Sequence, residues 1–289
     1  MLIDAAMLFA LGAAFSYACA DMSLRYGLLH TTPFVGSTVG RTFSVLILAT
    51  AVLISGATFP LPGVHYLWVF LGGVFNPGLF AVFFMFGISK IGVSRVAPIK
   101  RSSPLIAAFF AIVFLGERPG PVQLAGVVLV VSGVGLISSG RTEGRWRRIH
   151  ALWPIAAAVF AGTGAIFWRK GLPAFPDPVV GSLVGMSAAL TTVTLYSVLF
   201  ERDQIVDGFR TAWRPFLLGG IAGAAGNFLY ASALKGGEVF RMVSLIQISP
   251  LVTVVFAFVL LRKVEKITWR VPAGAVLTVF GAILVSFRP

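Results

Sequence analysis

Two stretches of this chain, some 146 residues apart, repeat one another. Arg95-Val96-Ala97 leads to Ser103-Pro104-Leu105 and, after an apolar run, to Glu117; Arg241-Met242-Val243 leads to Ser249-Pro250-Leu251 and, with two extra residues, to Glu265. Beyond the acids, Gly126 and Gly133 are matched by Gly274 and Gly281 at a spacing of 148. The match reaches back into earlier segments. Arg25-Tyr26-Gly27-Leu28 before Pro33 resembles Arg169-Lys170-Gly171-Leu172 before Pro178, and Gly72-Gly73 resembles Gly219-Gly220. A chain built of two copies of one unit must fold as two related halves.

The solvent for that fold is lipid. Hydrophobic residues make up 57% of the 289 and charged residues 11%, with mean hydropathy +0.93, far from a soluble composition. About 20 apolar residues cross roughly 30 Å of hydrocarbon. Apolar windows bounded by Gly, Pro and charge predict spans near 4–24, 34–56, 66–89, 95–115, 121–139, 151–170, 178–200, 214–234, 239–261 and 270–287, with turns at Thr58 to Pro62, Gly116 to Pro119, Pro173 to Pro178 and Glu201 to Arg210. The first span is read as retained rather than as a cleaved leader, since no Lys or Arg precedes it.

The sequence therefore predicts an all-α integral membrane protein of ten transmembrane helices. Residues 1–140 form one five-helix repeat, 141–150 a basic connector, and 151–289 a second repeat. Five is odd, so the second repeat enters the bilayer from the opposite side, giving inverted repeats around a central cavity, a construction many secondary transporters use. Lys and Arg near the odd connections number fourteen, against six near the termini and even connections, which places the central connector inside and both termini outside. The net charge of +13 is spread singly between apolar runs, a distribution that speaks for cytoplasmic anchoring and against nucleic acid.

In its order and spacing the pattern resembles the EamA-type members of the drug/metabolite transporter superfamily over nearly the whole chain. The carrying residues are Pro33 to Arg41, Ala97 to Ser103-Pro104-Leu105, Gly116-Glu117, Gln123 with Gly126, and in the second copy Ser249-Pro250-Leu251, Glu265 and Gly274. The resemblance implies a secondary transporter of small metabolites, often an exporter, with ten helices around a central cavity. Phe15-Ser16 stands where many members show Trp-Gly, and Met186 where a counterpart of Arg41 would fall, so only the first half supplies that charge.

Charges far from a helix end are the best functional clues in a bilayer. Arg41, Lys100 and Arg101 qualify, whereas Glu117, Glu201, Glu238 and Glu265 lie near ends. A positive interior suits a carboxylate-bearing metabolite, an amino acid or organic anion, since guanidinium grips carboxylate in bidentate fashion. An exporter of lipophilic cations would carry a deep carboxylate. The competing readings are snorkelling for Lys100 and Arg101, and bonding of Arg41 to backbone carbonyls or Asp21. Consecutive residues point about 100° apart on a helix, so one of Lys100 and Arg101 binds while the other anchors, with Lys100 preferred.

Asn76, Asn227 and Gln247 are amides inside predicted spans, suited either to a polar ligand or to interhelical bonds. Tyr17, Trp168 and Tyr230 are candidates to line an aromatic-accepting cavity, although Trp168 beside Arg169 more often marks an interfacial belt. Pro77, Pro98, Pro104 and Pro250 mark predicted kinks or hinges, sharpest at Asn76-Pro77-Gly78, where a static bend is the alternative. Enzyme chemistry is not expected: His30, His65 and His150 form no close pair, Cys19 is the single cysteine, and no metal or cofactor motif is present. The expected partners are a small-molecule substrate and the lipid of a bacterial inner membrane, the chain acting as monomer or homodimer. A non-transporting receptor or scaffold is the other functional class.

Overall fold

The computed structural model describes residues 4–28, 31–100, 102–138, 147–253 and 269–287. Every regular element among them is helical. Helices α1 (Ala5–Gly27), α2 (Pro33–Ser55), α3 (Val64–Gly73), α4 (Phe80–Ile91), α5 (Val93–Lys100), α6 (Ser103–Leu115) and α7 (Pro121–Ser138) precede the connector. After it come α8 (Leu152–Gly171), α9 (Pro178–Phe200), α10 (Arg202–Gly236), α11 (Val239–Ile246) and α12 (Arg270–Ser286). Among the described residues six helices or helix pairs are long and apolar enough to cross a membrane, and four apolar helices are shorter, among them Val239–Thr253.

Local sequence sets the ends. Asp4 and Asp177 accept hydrogen bonds from Met7 N and Val179 N, both at 2.9 Å, and so cap α1 and α9. Pro33 and Pro178 occupy the first turns of α2 and α9, where a missing N–H costs nothing. Gly56 and Gly116 stop α2 and α6 at φ 63° and 68°, a left-handed conformation in which a side chain is strained.

Three predicted spans are built differently. The expected turn at Glu201 to Arg210 is mostly helical: α10 runs 35 residues from Arg202, kinked at Ala212 (φ −120°, ψ 15°) just before Pro215. Polar side chains there prolong the helix beyond the apolar window, and Pro215 bends the helix without ending it. The span predicted at 95–115 is split between α5 and α6. Pro104 and Pro250 accordingly do not kink continuous helices. Pro104 sits in the first turn of α6, and Pro250 in the first turn of the helix resumed at Ser249, after a turn at Gln247 and Ile248. Pro98 falls within α5. Both breaks lie at the duplicated Ser-Pro pairs.

Glycine seams join the elements. A Cβ on Gly126 would stand 2.8 Å from Gly281 O, and one on Gly133 2.6 Å from Gly274 O, so α7 and α12 run antiparallel with their backbones touching. A Cβ on Gly73 would collide with the Gly185 carbonyl, and one on Gly220 would stand 3.1 Å from Gly40 O. α3 thus lies on α9 as α10 lies on α2.

The connections gather at two ends. At one, Tyr66 packs edge-on against Phe175, Lys235 Nζ binds Phe175 O and Pro176 O at 2.6 and 2.8 Å, and the connector after α6 meets α11. At the other, Thr32 Oγ1 donates to Glu201, with Thr38 and Ser197 hydroxyls 3.0 Å apart one turn further in. Between these ends lies the middle of the bundle.

A polar cluster around Arg41

The helical ladder fails at Asn76, whose φ of −141° and ψ of 110° interrupt the path from α3 into α4. Residues Val74–Leu79 form a wide turn containing Pro77, joined to Asn76 by a cis peptide bond. Pro77 has no N–H, and such backbone persists inside a membrane protein where freed carbonyls find other donors. Here they do. The Trp168 indole Nε1 donates to Asn76 O at 3.0 Å, and Arg41 Nη2 donates to Pro77 O at 3.2 Å.

Arg41 itself is held within α2. Its Nη1 donates to Ser37 O at 3.3 Å and to Ser37 Oγ, one turn earlier. Its Nε is buried with no hydrogen-bond partner. Among the described residues no carboxylate forms an ion pair with it. The backbone-carbonyl alternative from the sequence is therefore part of what is seen, and Asp21 is not its partner. Yet two carbonyls and a hydroxyl leave Nε, and a share of Nη2, unused on a guanidinium with five donors.

Tyr17 and Tyr230 complete the cluster. Asn76 Nδ2 donates to the Tyr230 hydroxyl at 3.4 Å, and Tyr230 meets Trp168 edge-to-face with centroids 6.0 Å apart. Tyr17 is close enough to feel the charge of Arg41, and its ring fills the notch left by Gly226. Tyr230 is 6% exposed and Trp168 fully buried, whereas Arg41, Asn76 and Tyr17 keep partial exposure. Partial exposure within the cluster thus falls on Arg41, Asn76 and Tyr17.

Of the residues singled out from sequence, the structure brings together Arg41, Asn76, Tyr17, Tyr230 and Pro77. The others stand elsewhere or do other work. Lys100 Nζ lies over the rings of Phe80 and Phe84, 4.7 and 4.3 Å from their centroids. Arg101 lies outside the described residues. Asn227 is buried and donates to Ser182 O at 3.3 Å, tying α10 to α9. Gln247 Nε2 donates to Ser103 Oγ at 3.1 Å, joining the two Ser-Pro breaks.

Trp168 takes the less favoured of its two expected places. It is not an interfacial residue but, among the described residues, the largest fully buried side chain. A Cβ on Gly72 would stand 2.8 Å from its indole, and one on Gly185 would overlap it. The signal was there in the glycines of the facing helices, which clear room for an indole.

A helical membrane protein with a cation-bearing polar cluster at an internal helix break, and a sequence duplicated end to end, has the form of a small-molecule transporter. The chain belongs to the EamA-like transporter family, whose sequence profile matches residues 4–139 and again 148–287. The members of that family are membrane transporters. It is 26% identical over 225 residues to the uncharacterized transporter YcxC of Bacillus subtilis, covering 72% of this chain and 69% of that one. It is 30% identical over 189 residues to a probable amino-acid metabolite efflux pump of Salmonella typhimurium, spanning 62% of each. A solved crystal structure superposes on 98% of both chains with a TM-score of 0.80 at 17% identity, a likeness of fold alone.

Proposed function

We propose that this chain is a secondary transporter, an exporter or exchanger, of a small polar metabolite carrying a carboxylate: an amino acid or an organic anion. It works by alternating access between two inverted five-helix halves, residues 1–140 and 151–289, as monomer or homodimer in a bacterial inner membrane. The observation that carries the substrate class is Arg41. A guanidinium within a membrane helix, with Nε unpartnered and no ion-paired carboxylate among the described residues, is stable there if a ligand supplies the missing charge. The Nε–Nη2 edge matches a carboxylate in bidentate fashion, and Tyr17 and Asn76 stand beside it for the rest of the molecule.

The two-half mechanism is supported by reciprocity. If residue i of one half touches j of the other, a two-fold axis requires the counterparts to touch as well. Gly126 against Gly281 and Gly133 against Gly274 are such a pair under the 148-residue spacing. Gly73 against Gly185 and Gly220 against Gly40 are another, under 147 and 145. The binding cluster breaks the symmetry: Met186 replaces Arg41, and Ala161 replaces Tyr17. One charged end of a ligand therefore has one place to go. The name of the Salmonella relative agrees with an amino-acid-derived substrate.

Thermal shift of the purified protein against a panel of amino acids, organic anions and lipophilic cations tests this reading. Anionic or zwitterionic compounds raise Tm, by about 2.7 kcal/mol of linkage at a hundredfold excess over Kd. Arg41→Gln weakens the same compounds by roughly 10- to 100-fold, as loss of a charged hydrogen bond implies. A shift confined to cations, or one that survives Arg41→Gln undiminished, overturns the assignment.

A further inference from the structure

Glu117 is the carboxylate that the central cluster lacks, and it sits at the seam between the halves. It follows Gly116, the left-handed stop of α6, in the connector to α7. Its two oxygens accept from the first amides of α11: Val239 N at 2.7 Å and Phe240 N at 3.2 Å. A first-half connector thereby holds the start of a second-half helix. Carboxylates are favoured at such helix starts, so the contact alone is an ordinary cap. Its surroundings are not ordinary.

Charged groups approach from each neighbouring element. Glu238, just before α11, adds a second negative charge, while its own oxygen pairs with Arg241 on α11 at 3.1 Å. Arg169, from the end of α8, adds a positive one, and its Nη1 binds Leu234 O and Lys235 O at 2.8 and 2.6 Å, where α10 ends. Lys235 turns away to the carbonyls of Phe175 and Pro176. Arg118, next in the chain, is exposed. Glu117, Glu238, Arg241 and Arg169 thus meet around the two-residue link between α10 and α11.

We propose that Glu117 is a proton-binding latch: closing this end of the bundle carries its carboxyl out of water and into the seam together with a proton, and opening returns that proton to water on the same side. Burial holds the carboxyl above its ordinary range and the Glu238 charge adds to the rise, while the Val239 and Phe240 amides and Arg169 pull the other way without cancelling it. A group that binds protons more tightly in the closed state makes closure favourable at low pH and opening favourable at high pH. Each unit of pKa difference between the two states changes the ratio of open to closed about tenfold. The latch makes closure of this end respond to the pH of the water on that side, without a carboxylate at the binding cluster.

The proposal rests on the two-half reading, and its test requires neither substrate nor any change at Arg41. Nitroxide labels at Val122→Cys and Gly236→Cys, with Cys19→Ser, report the separation of the two connectors by pulsed electron spin resonance in liposomes. In the protein with Glu117 intact, the long-distance population grows as pH rises through the window above the ordinary carboxylate pKa, about 4.3. Glu117→Gln, neutral like the protonated acid and still able to accept from Val239, stays short at every pH. Glu238→Gln removes the second negative charge and moves the midpoint to lower pH, a shift that a purely structural cap would not give. A distance distribution indifferent to pH, one that lengthens on acidification, or a pH response that persists in Glu117→Gln overturns the latch. Ligand-induced shifts that depend on Arg41 would stand in any of those cases, so the two readings fail separately.

Discussion

Residues in this protein are defined by what burial does to charge. Glu117 is half-buried and held above its usual pKa. The folded state therefore binds its proton more tightly than the unfolded chain, and the native state carries more protons between the ordinary and the raised value. Stability falls as pH rises across that window and is level above it. The Tm of the detergent-solubilised protein declines accordingly on leaving acid, and Glu117→Gln flattens that part of the curve; an unchanged slope in the variant would assign it to another group. Arg41, Asn76, Tyr17 and Tyr230 were legible because polar or charged atoms inside an apolar window need a reason. Trp168 was ambiguous, because a tryptophan beside Arg169 and Lys170 also has the composition of a membrane interface, and only its packing against Gly72 and Gly185 distinguishes the two.

At the level of elements, the long windows predicted the helices well: α9 occupies the residues expected, and α1, α2 and α8 differ by a few at their ends. Breaks were harder. Ser103-Pro104 and Ser249-Pro250 read as kinks because proline within an apolar run suggests a bend, but proline is equally at home in a first turn, and a hydropathy window cannot tell the two apart. The 35 residues of α10 escaped for the converse reason, since a polar stretch reads as a turn even where it is helical. Glycine positions divide by what faces them. A methyl at Gly185 would run into the Trp168 ring, itself fixed by Asn76 O, so Gly185→Ala costs about 1 to 3 kcal/mol by overpacking. Gly135 on α7 has nothing within 4 Å of the same methyl, and Gly135→Ala gains up to about 1 kcal/mol from helix propensity. Thermal unfolding of the two variants beside the parent measures both, and equal effects would mean that the α3–α8–α9 packing is looser than drawn.

For the whole molecule, the duplication was plain in the residues while the orientation rests on charge. The connectors after α2, α6, α8 and α10 gather at one end, and Thr32, Glu201 and the start of α10 at the other. The second end carries Arg202, Arg210 and Arg214, and the first carries Arg118, Arg169, Lys170 and Lys235, of which Arg169 and Lys235 are bound to backbone carbonyls. Carbonyl-bound cations at helix C-termini serve packing, so a simple count of charges understates the bias of free basic side chains toward the second end. The positive-inside rule then predicts that this end faces the cytoplasm. The exposed positions Arg118 and Arg210 report it directly. In intact cells, with Cys19→Ser, a membrane-impermeant maleimide modifies Arg118→Cys at once and Arg210→Cys only after the membrane is opened. The reverse pattern would invert the protein in the bilayer, and Glu117 would then exchange its proton with the cytoplasm rather than with the outside.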